Sequence, residues 1–255
     1  MQRNTKILTF AGKGGVGKTS ISAAAVRLLC ERYPDARILA VDADPAVGLA
    51  TALGVPSGQT IDDIRKEILK SVEQQGAKQA VEILGEARFR LLDSISENKG
   101  FAFLAIGRPE AAGCYCAVNT YLKEVVSRIA QDFDFVVIDG EAGIEQINRR
   151  VMEKVTHLIL VSDLSKKGIQ VIQTIKKVAD EMVMYEKVGV ILNRVTDPDM
   201  LQYVQLGELP LLGWIPEDRE LIGFDIRGES LCGLSSGSNI LVGVENALKE
   251  IGIFN

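Results

Sequence analysis

The stretch that decides the fold is "GKGGVGKTS", Gly12 to Ser20. It satisfies G-x-x-x-x-G-K-[ST] with Gly12, Gly17, Lys18 and Thr19, and it stands between an apolar run, "KILTF" (6–10), and a helical pattern over 19–32. Glycines let consecutive backbone N–H groups turn inward as an anion nest, and a helix N-terminus adds positive potential. In such a loop Lys18 reaches the terminal phosphates of a nucleotide and the Thr19 hydroxyl ligates Mg²⁺. Gly12, Lys13, Gly14, Gly15, Val16, Gly17, Lys18, Thr19 and Ser20 are therefore the expected phosphate cradle. A merely flexible glycine loop would not need the Lys-Thr pair that follows.

Outward from this loop the chain alternates short β-rich runs with longer helical patterns. Strands are expected at 6–10, 37–42, 101–106, 133–139, 157–163, 188–193 and 209–215, and helices at 19–32, 117–131, 166–184 and 239–251. Several strand runs, such as "FVVID" and "LILVSD", are almost continuously apolar, as strands covered on both faces require. The expected fold class is α/β, a doubly wound, mostly parallel sheet flanked by helices. Residues 57–90 are richer in charge and break the alternation with extra helix, which reads as an insertion at the sheet edge of one domain spanning 1–255.

Composition narrows the function classes. The 255 residues carry 29 Lys and Arg against 34 Asp and Glu, a net charge of −5 with no long basic block, so nucleic acid is not an expected partner. No apolar run reaches the roughly 18 residues that a membrane span needs. A cytoplasmic location with no membrane partner is expected, with the four cysteines, Cys30, Cys114, Cys116 and Cys232, reduced. The single histidine, His157, opens an apolar run and reads as a structural strand residue, not a ligand.

Lys13 adds what the ordinary motif does not demand. The pattern K-G-G-x-G-K-[ST] resembles the deviant P-loop of the MinD, ParA and nitrogenase iron-protein group. That resemblance implies ATP and ADP as ligands, Mg-dependent ATP hydrolysis, and a homodimer in which Lys13 crosses to the partner's nucleotide. It also places the aspartate that orients the attacking water at Asp44, in "VDADP", and assigns Mg²⁺ to Thr19, Asp44 and Asp139, the last in "VVIDGEAG", where Gly143 would be the pivot of a switch. Carboxylates at the carboxyl ends of strands beside a P-loop are where such a sheet binds ligands. The same resemblance puts Asn193 and Arg194, in "VILNRV", and Pro216, Glu217 and Asp218, in "GWIPEDREL", around the adenine.

Within that group, "GRPEAAGCYCAVNTYLKEVV" together with "IDGEAGIEQINRR" resembles the carbon monoxide dehydrogenase maturation factors, the CooC-type nickel-insertion ATPases, over nearly the whole chain. The resemblance implies that Cys114 and Cys116 of two subunits meet as one four-thiolate site for Ni²⁺ or Zn²⁺, and that the client is carbon monoxide dehydrogenase or acetyl-CoA synthase. Two thiolates per chain leave a divalent ion undercoordinated, whereas a two-fold dimer supplies four soft ligands. Cys30 and Cys232 read as small buried hydrophobes. Two alternatives stand beside this reading. An iron–sulfur reductase like the nitrogenase iron protein uses widely separated cysteines, unlike C-x-C. A positioning ATPase of the MinD or ParA type calls for a basic amphipathic tail or a basic surface, and neither the C-terminal "NILVGVENALKEIGIFN" nor the acidic balance supplies one.

Overall fold

The computed structural model of the protein describes residues 4–44, 48–75, 89–107, 116–140, 155–182 and 185–255. Among the described residues eight strands form one sheet: β1 (Lys6–Gly12), β2 (Ile38–Asp42), β3 (Ser96–Asn98), β4 (Phe101–Ala105), β5 (Phe135–Asp139), β6 (His157–Ser162), β7 (Lys187–Val195) and β8 (Leu211–Pro216). Their order across the sheet is β3-β4-β2-β5-β1-β6-β7-β8. Every neighbouring pair is parallel except β3 with β4. The seven expected strands are present, with ends shifted by a residue or two; β3, short and polar, is an addition at the edge.

The described helices are α1 (Lys18–Arg32), α2 (Gly48–Leu53), α3 (Ile61–Gln75), α4 (Cys116–Ala130), α5 (Lys166–Met182), α6 (Arg219–Arg227) and α7 (Asn239–Glu250). They lie on both faces of the sheet because the strands present apolar side chains alternately to each side. On one face Val136 and Ile138 of β5 join Ile64 and Ile68 of α3, Val126 of α4 and Ile172 of α5. On the other, Leu8 and Phe10 of β1 and Val137 of β5 join Ile21 and Leu29 of α1 and Val244 and Leu248 of α7. The region expected as an insertion at 57–90 contains α3, whose Ile61, Ile64 and Ile68 are buried in the first of these clusters; residues 76–88 lie outside the described residues.

The architecture places the decisive loop at the centre. β1 is flanked by β5 and β6, with Phe10 opposite Asp139 and Gly12 opposite Val161. The carboxyl ends of β2, β5, β1, β6 and β7 therefore converge on one edge, where an open parallel sheet binds its ligand.

Candidate nucleotide site

The loop between β1 and α1 is shaped by contacts that only glycine tolerates at its two ends. A Cβ on Gly12 would stand 2.0 Å from the Val161 carbonyl oxygen, so β6 can lie this close only beside a glycine. Gly17 has φ 91°, and a Cβ there would meet Asn193 Nδ2 at 2.5 Å. Gly17 is also the N-cap of α1, which has no side-chain cap. Having no side chain, Gly17 supplies no cap of its own to the N-terminus of α1, the arrangement that suits an anionic ligand.

Lys18 is buried and its Nζ donates to the Lys13 carbonyl at 3.2 Å. Lys13, half-exposed, folds back onto its own subunit: its Nζ pairs with Asp163 Oδ2 at 3.3 Å, just beyond β6. Burial raises the Asp163 carboxyl, but the Ser165 hydroxyl and amide and the Lys13 ammonium outweigh it, and the net direction is down.

Two buried aspartates end adjacent strands, with Asp42 of β2 directly opposite Asp139 of β5. Burial and then the Asp139 charge push Asp42 up to about 7, although its two oxygens accept the Asp44 and Leu49 amides at 3.1 and 2.8 Å. Asp42 thereby anchors both the turn that carries Asp44 and the start of α2. Burial also pushes Asp139 up to about 6, against the lowering pull of the Thr19 and Ser22 hydroxyls and of Lys18. Asp139 Oδ1 accepts from Ser22 Oγ at 3.1 Å, while its Oδ2 is buried without a hydrogen-bond partner. A buried carboxylate oxygen with no hydrogen bond of normal geometry, on a carboxylate close enough to the Thr19 hydroxyl to feel it, fits a hydrated Mg²⁺. Asp44 is half-buried and its charge is felt by both aspartates.

Beside the loop lies a cavity of about 290 Å³ lined by Gly17, Ser20, Asn193, Arg194 and Pro216 to Asp218, together with residues of α6 and Ile240. The Asp218 carboxylate is already committed: Oδ1 accepts the Leu221 amide at 3.1 Å as N-cap of α6, and Oδ2 accepts the Ile240 amide at 3.0 Å. It serves as the cap of α7 too, whose own N-cap residue, Ser238, makes no capping bond to that helix.

The structure therefore brings together Lys13, Lys18, Thr19, Asp44 and Asp139 at one end of the loop and Asn193, Arg194, Pro216, Glu217 and Asp218 at the other. Asp42, Ser22 and Asp163 join them, and sequence reasoning passed over all three. Asp42 had a signal, since it ends "ILAVD" just as Asp139 ends "FVVID". Pro45, Cys114 and Gly143 lie outside the described residues; of Cys116 only the backbone is described, as the first residue of α4. Among the described residues no group of three or more His, Cys, Asp or Glu side chains converges as a metal site. No described helix is long and apolar enough to cross a membrane. Cys232 departs from its expected burial: it is exposed, its thiol donating to the Leu53 carbonyl at 3.8 Å, while Cys30 is half-buried.

Comparison with known proteins agrees with this geometry. Residues 7–231 match the CobQ/CobB/MinD/ParA nucleotide-binding domain. An uncharacterized ATP-binding protein of Methanocaldococcus jannaschii is 35% identical over 251 residues, 96% of this chain and 98% of that protein. The carbon monoxide dehydrogenase accessory protein CooC of Rhodospirillum rubrum is 29% identical over 243 residues, covering 89% of this chain and 90% of its own. In fold, the chain superposes on the septum site-determining protein MinD of Pyrococcus horikoshii, solved as a complex with Mg-ADP, with a TM-score of 0.68 at 22% identity over 97% of this chain and 96% of that one. A P-loop opening α1 at the centre of a parallel sheet, matched over most of its length by that domain, makes this chain a member of the CobQ/CobB/MinD/ParA family of nucleotide-binding proteins.

Proposed function

We propose that the protein is a homodimeric, Mg-dependent ATP hydrolase that carries Ni²⁺, or Zn²⁺, on Cys114 and Cys116 and serves the maturation of the metal cluster in carbon monoxide dehydrogenase or acetyl-CoA synthase. The observation that carries the ATP-driven part is the position of Lys13, a lysine beyond the needs of an ordinary P-loop, which pairs with its own Asp163 at the mouth of the loop. Support for the metal-delivery part is the C-x-C segment together with similarity to CooC over 89% of the chain.

In this reading Lys18 and the amides of the loop bind the phosphates. Thr19 and Asp139 hold Mg²⁺, which when bound neutralises charge on the phosphates. Asp44, fixed by Asp42 through the turn they share, orients the attacking water. Lys13 exchanges Asp163 for the phosphates of the partner's nucleotide, so the two subunits close only when nucleotide is present. The C-x-C segments then come together as four thiolates, and opening after hydrolysis returns each chain to two, too few to retain the ion. The ion is cargo rather than a resident cofactor.

The test is the solution mass of the protein with a non-hydrolysable ATP analogue, for the unaltered chain and for Lys13→Ala. A dimer that forms with analogue and is lost in the variant supports the cycle; a variant that dimerises normally removes it.

A further inference from the structure

Asn193 and Arg194 are consecutive residues near the end of β7, and in a regular strand consecutive side chains point to opposite faces. Here both address the same loop. Asn193 Nδ2 donates to the Val16 carbonyl at 2.8 Å, and Arg194 Nη1 donates to the Gly15 carbonyl at 3.0 Å. The break in alternation has a visible cause. Arg194 has φ 59°, among the described residues the only positive φ outside glycine, and the pairing of β7 with β8 shifts register between Asn193 and Val195. Such a conformation persists in a non-glycine residue only where its surroundings impose it, and such sites cluster around functional loops. The orientation of the Asn193 amide is fixed as well, since its Oδ1 accepts the Arg194 amide at 2.9 Å.

The consequence follows from the planarity of the peptide. In a trans peptide the carbonyl of one residue and the N–H of the next point in opposite directions. Tying the Gly15 and Val16 carbonyls to β7 therefore turns the Val16 and Gly17 N–H groups away from β7. Lys18 does the same for the first part of the loop, since its Nζ on the Lys13 carbonyl sets the Gly14 N–H. The close approach of Asn193 Nδ2 to Gly17, where a Cβ would meet it at 2.5 Å, shows how tightly this clamp is seated.

We propose that Asn193 and Arg194 are positioning residues that preset the P-loop for phosphate, acting on nucleotide affinity through the loop backbone and not only through contact with the base. The proposal rests on the nucleotide reading of the site and is independent of the metal. It separates from adenine recognition by one probe: inorganic pyrophosphate has phosphates and no base.

The experiment measures the affinity of the full chain for Mg-ADP and for pyrophosphate by calorimetry, in the unaltered protein, Asn193→Ala, Arg194→Gly and Arg194→Lys, with the thermal unfolding midpoint of each apoprotein. Loss of one loop-holding hydrogen bond is expected to weaken ADP and pyrophosphate by the same factor, about fivefold. Arg194→Gly relieves the positive φ, so its unfolding midpoint should hold or rise while affinity falls, a divergence that loss of folding cannot produce. Arg194→Lys, which keeps a donor, should recover part of the pyrophosphate affinity. Variants that weaken ADP and leave pyrophosphate unchanged would overturn the clamp and leave base recognition standing. Variants that change neither would overturn it too, and an unaltered protein that binds neither ligand would overturn the nucleotide reading itself.

Discussion

Lys13 and Asp163 are 150 residues apart in sequence and form an ion pair of 3.3 Å that holds the distinguishing lysine of the loop against its own subunit. A half-exposed pair of this kind is worth between nothing and about 1 kcal/mol, weak enough for the phosphates of a second nucleotide to displace. Asp163→Asn keeps the oxygen that accepts from Ser165 and removes the one that holds Lys13. The variant should tighten ATP-analogue-dependent dimerisation, by up to about fivefold, as read by the mass of the complex across a dilution series. Dimerisation no tighter than in the unaltered protein would mean that Asp163 does not compete for Lys13.

Asp139 bears a cost in the apoprotein, because its Oδ2 is buried without a partner. Asp139→Asn removes the negative charge while keeping an oxygen for Ser22. It should stabilise the nucleotide-free protein at pH 8 by about 1 kcal/mol in urea unfolding and abolish the extra stabilisation that Mg²⁺ gives in the presence of ADP. An apoprotein that loses stability on this change would show that the carboxylate is structurally required.

His157 sets a pH limit. Thr156 Oγ1 accepts the Ile7 amide at 2.7 Å and lies 3.0 Å from the Ile7 carbonyl and 2.7 Å from His157 Nδ1, so the imidazole is tied to Thr156 by a hydrogen bond whose direction follows its tautomer. Burial, then the charges of Lys187 and Lys6, push the imidazole down to about 4. The unfolded chain, with a pKa near 6.5, binds the proton first, so stability is complete above about pH 6.5 and declines as pH falls toward 4, by on the order of 3 kcal/mol. His157→Gln should flatten the pH dependence of unfolding free energy between pH 4.5 and 6.5. An unchanged slope would assign the loss to other groups.

Asp218 caps two helices with one carboxylate. Asp218→Ala should lower Tm by roughly 4–8 °C, since each lost cap costs about 1 kcal/mol in a chain of this size. Asp218→Asn, which keeps one acceptor oxygen, should fall between the two. A Tm unchanged in the alanine variant would contradict the double cap.

The sheet was legible in the sequence because its central strands are buried on both faces and leave continuous apolar runs, as in "FVVID". β3 was not, since three polar residues pairing antiparallel at an edge carry no periodic signal. The loop and its lysines were legible because glycine spacing there is dictated by phosphate chemistry. What the sequence could not show was which carboxylates meet. Asp42 shares with Asp139 the position at the end of an apolar run, but only the register of β2 against β5 shows that the two stand opposite each other. The clamp on the loop was hidden for the same reason: the positive φ of Arg194 arises from tertiary contacts and not from any preference of arginine.

The central claim is that nucleotide closes two chains around one thiolate site. Its most direct test is a Ni²⁺ titration of the reduced, metal-free protein with and without ATP analogue, reporting ions per chain and solution mass, beside the Cys114→Ala/Cys116→Ala double variant. The account predicts one ion per two chains, thiolate charge-transfer absorption and a dimer favoured by analogue, with the metal signals lost in the double variant. Nickel bound equally well without the two cysteines, or not bound at all, would contradict it and leave an ATP-binding member of the family whose output lies elsewhere.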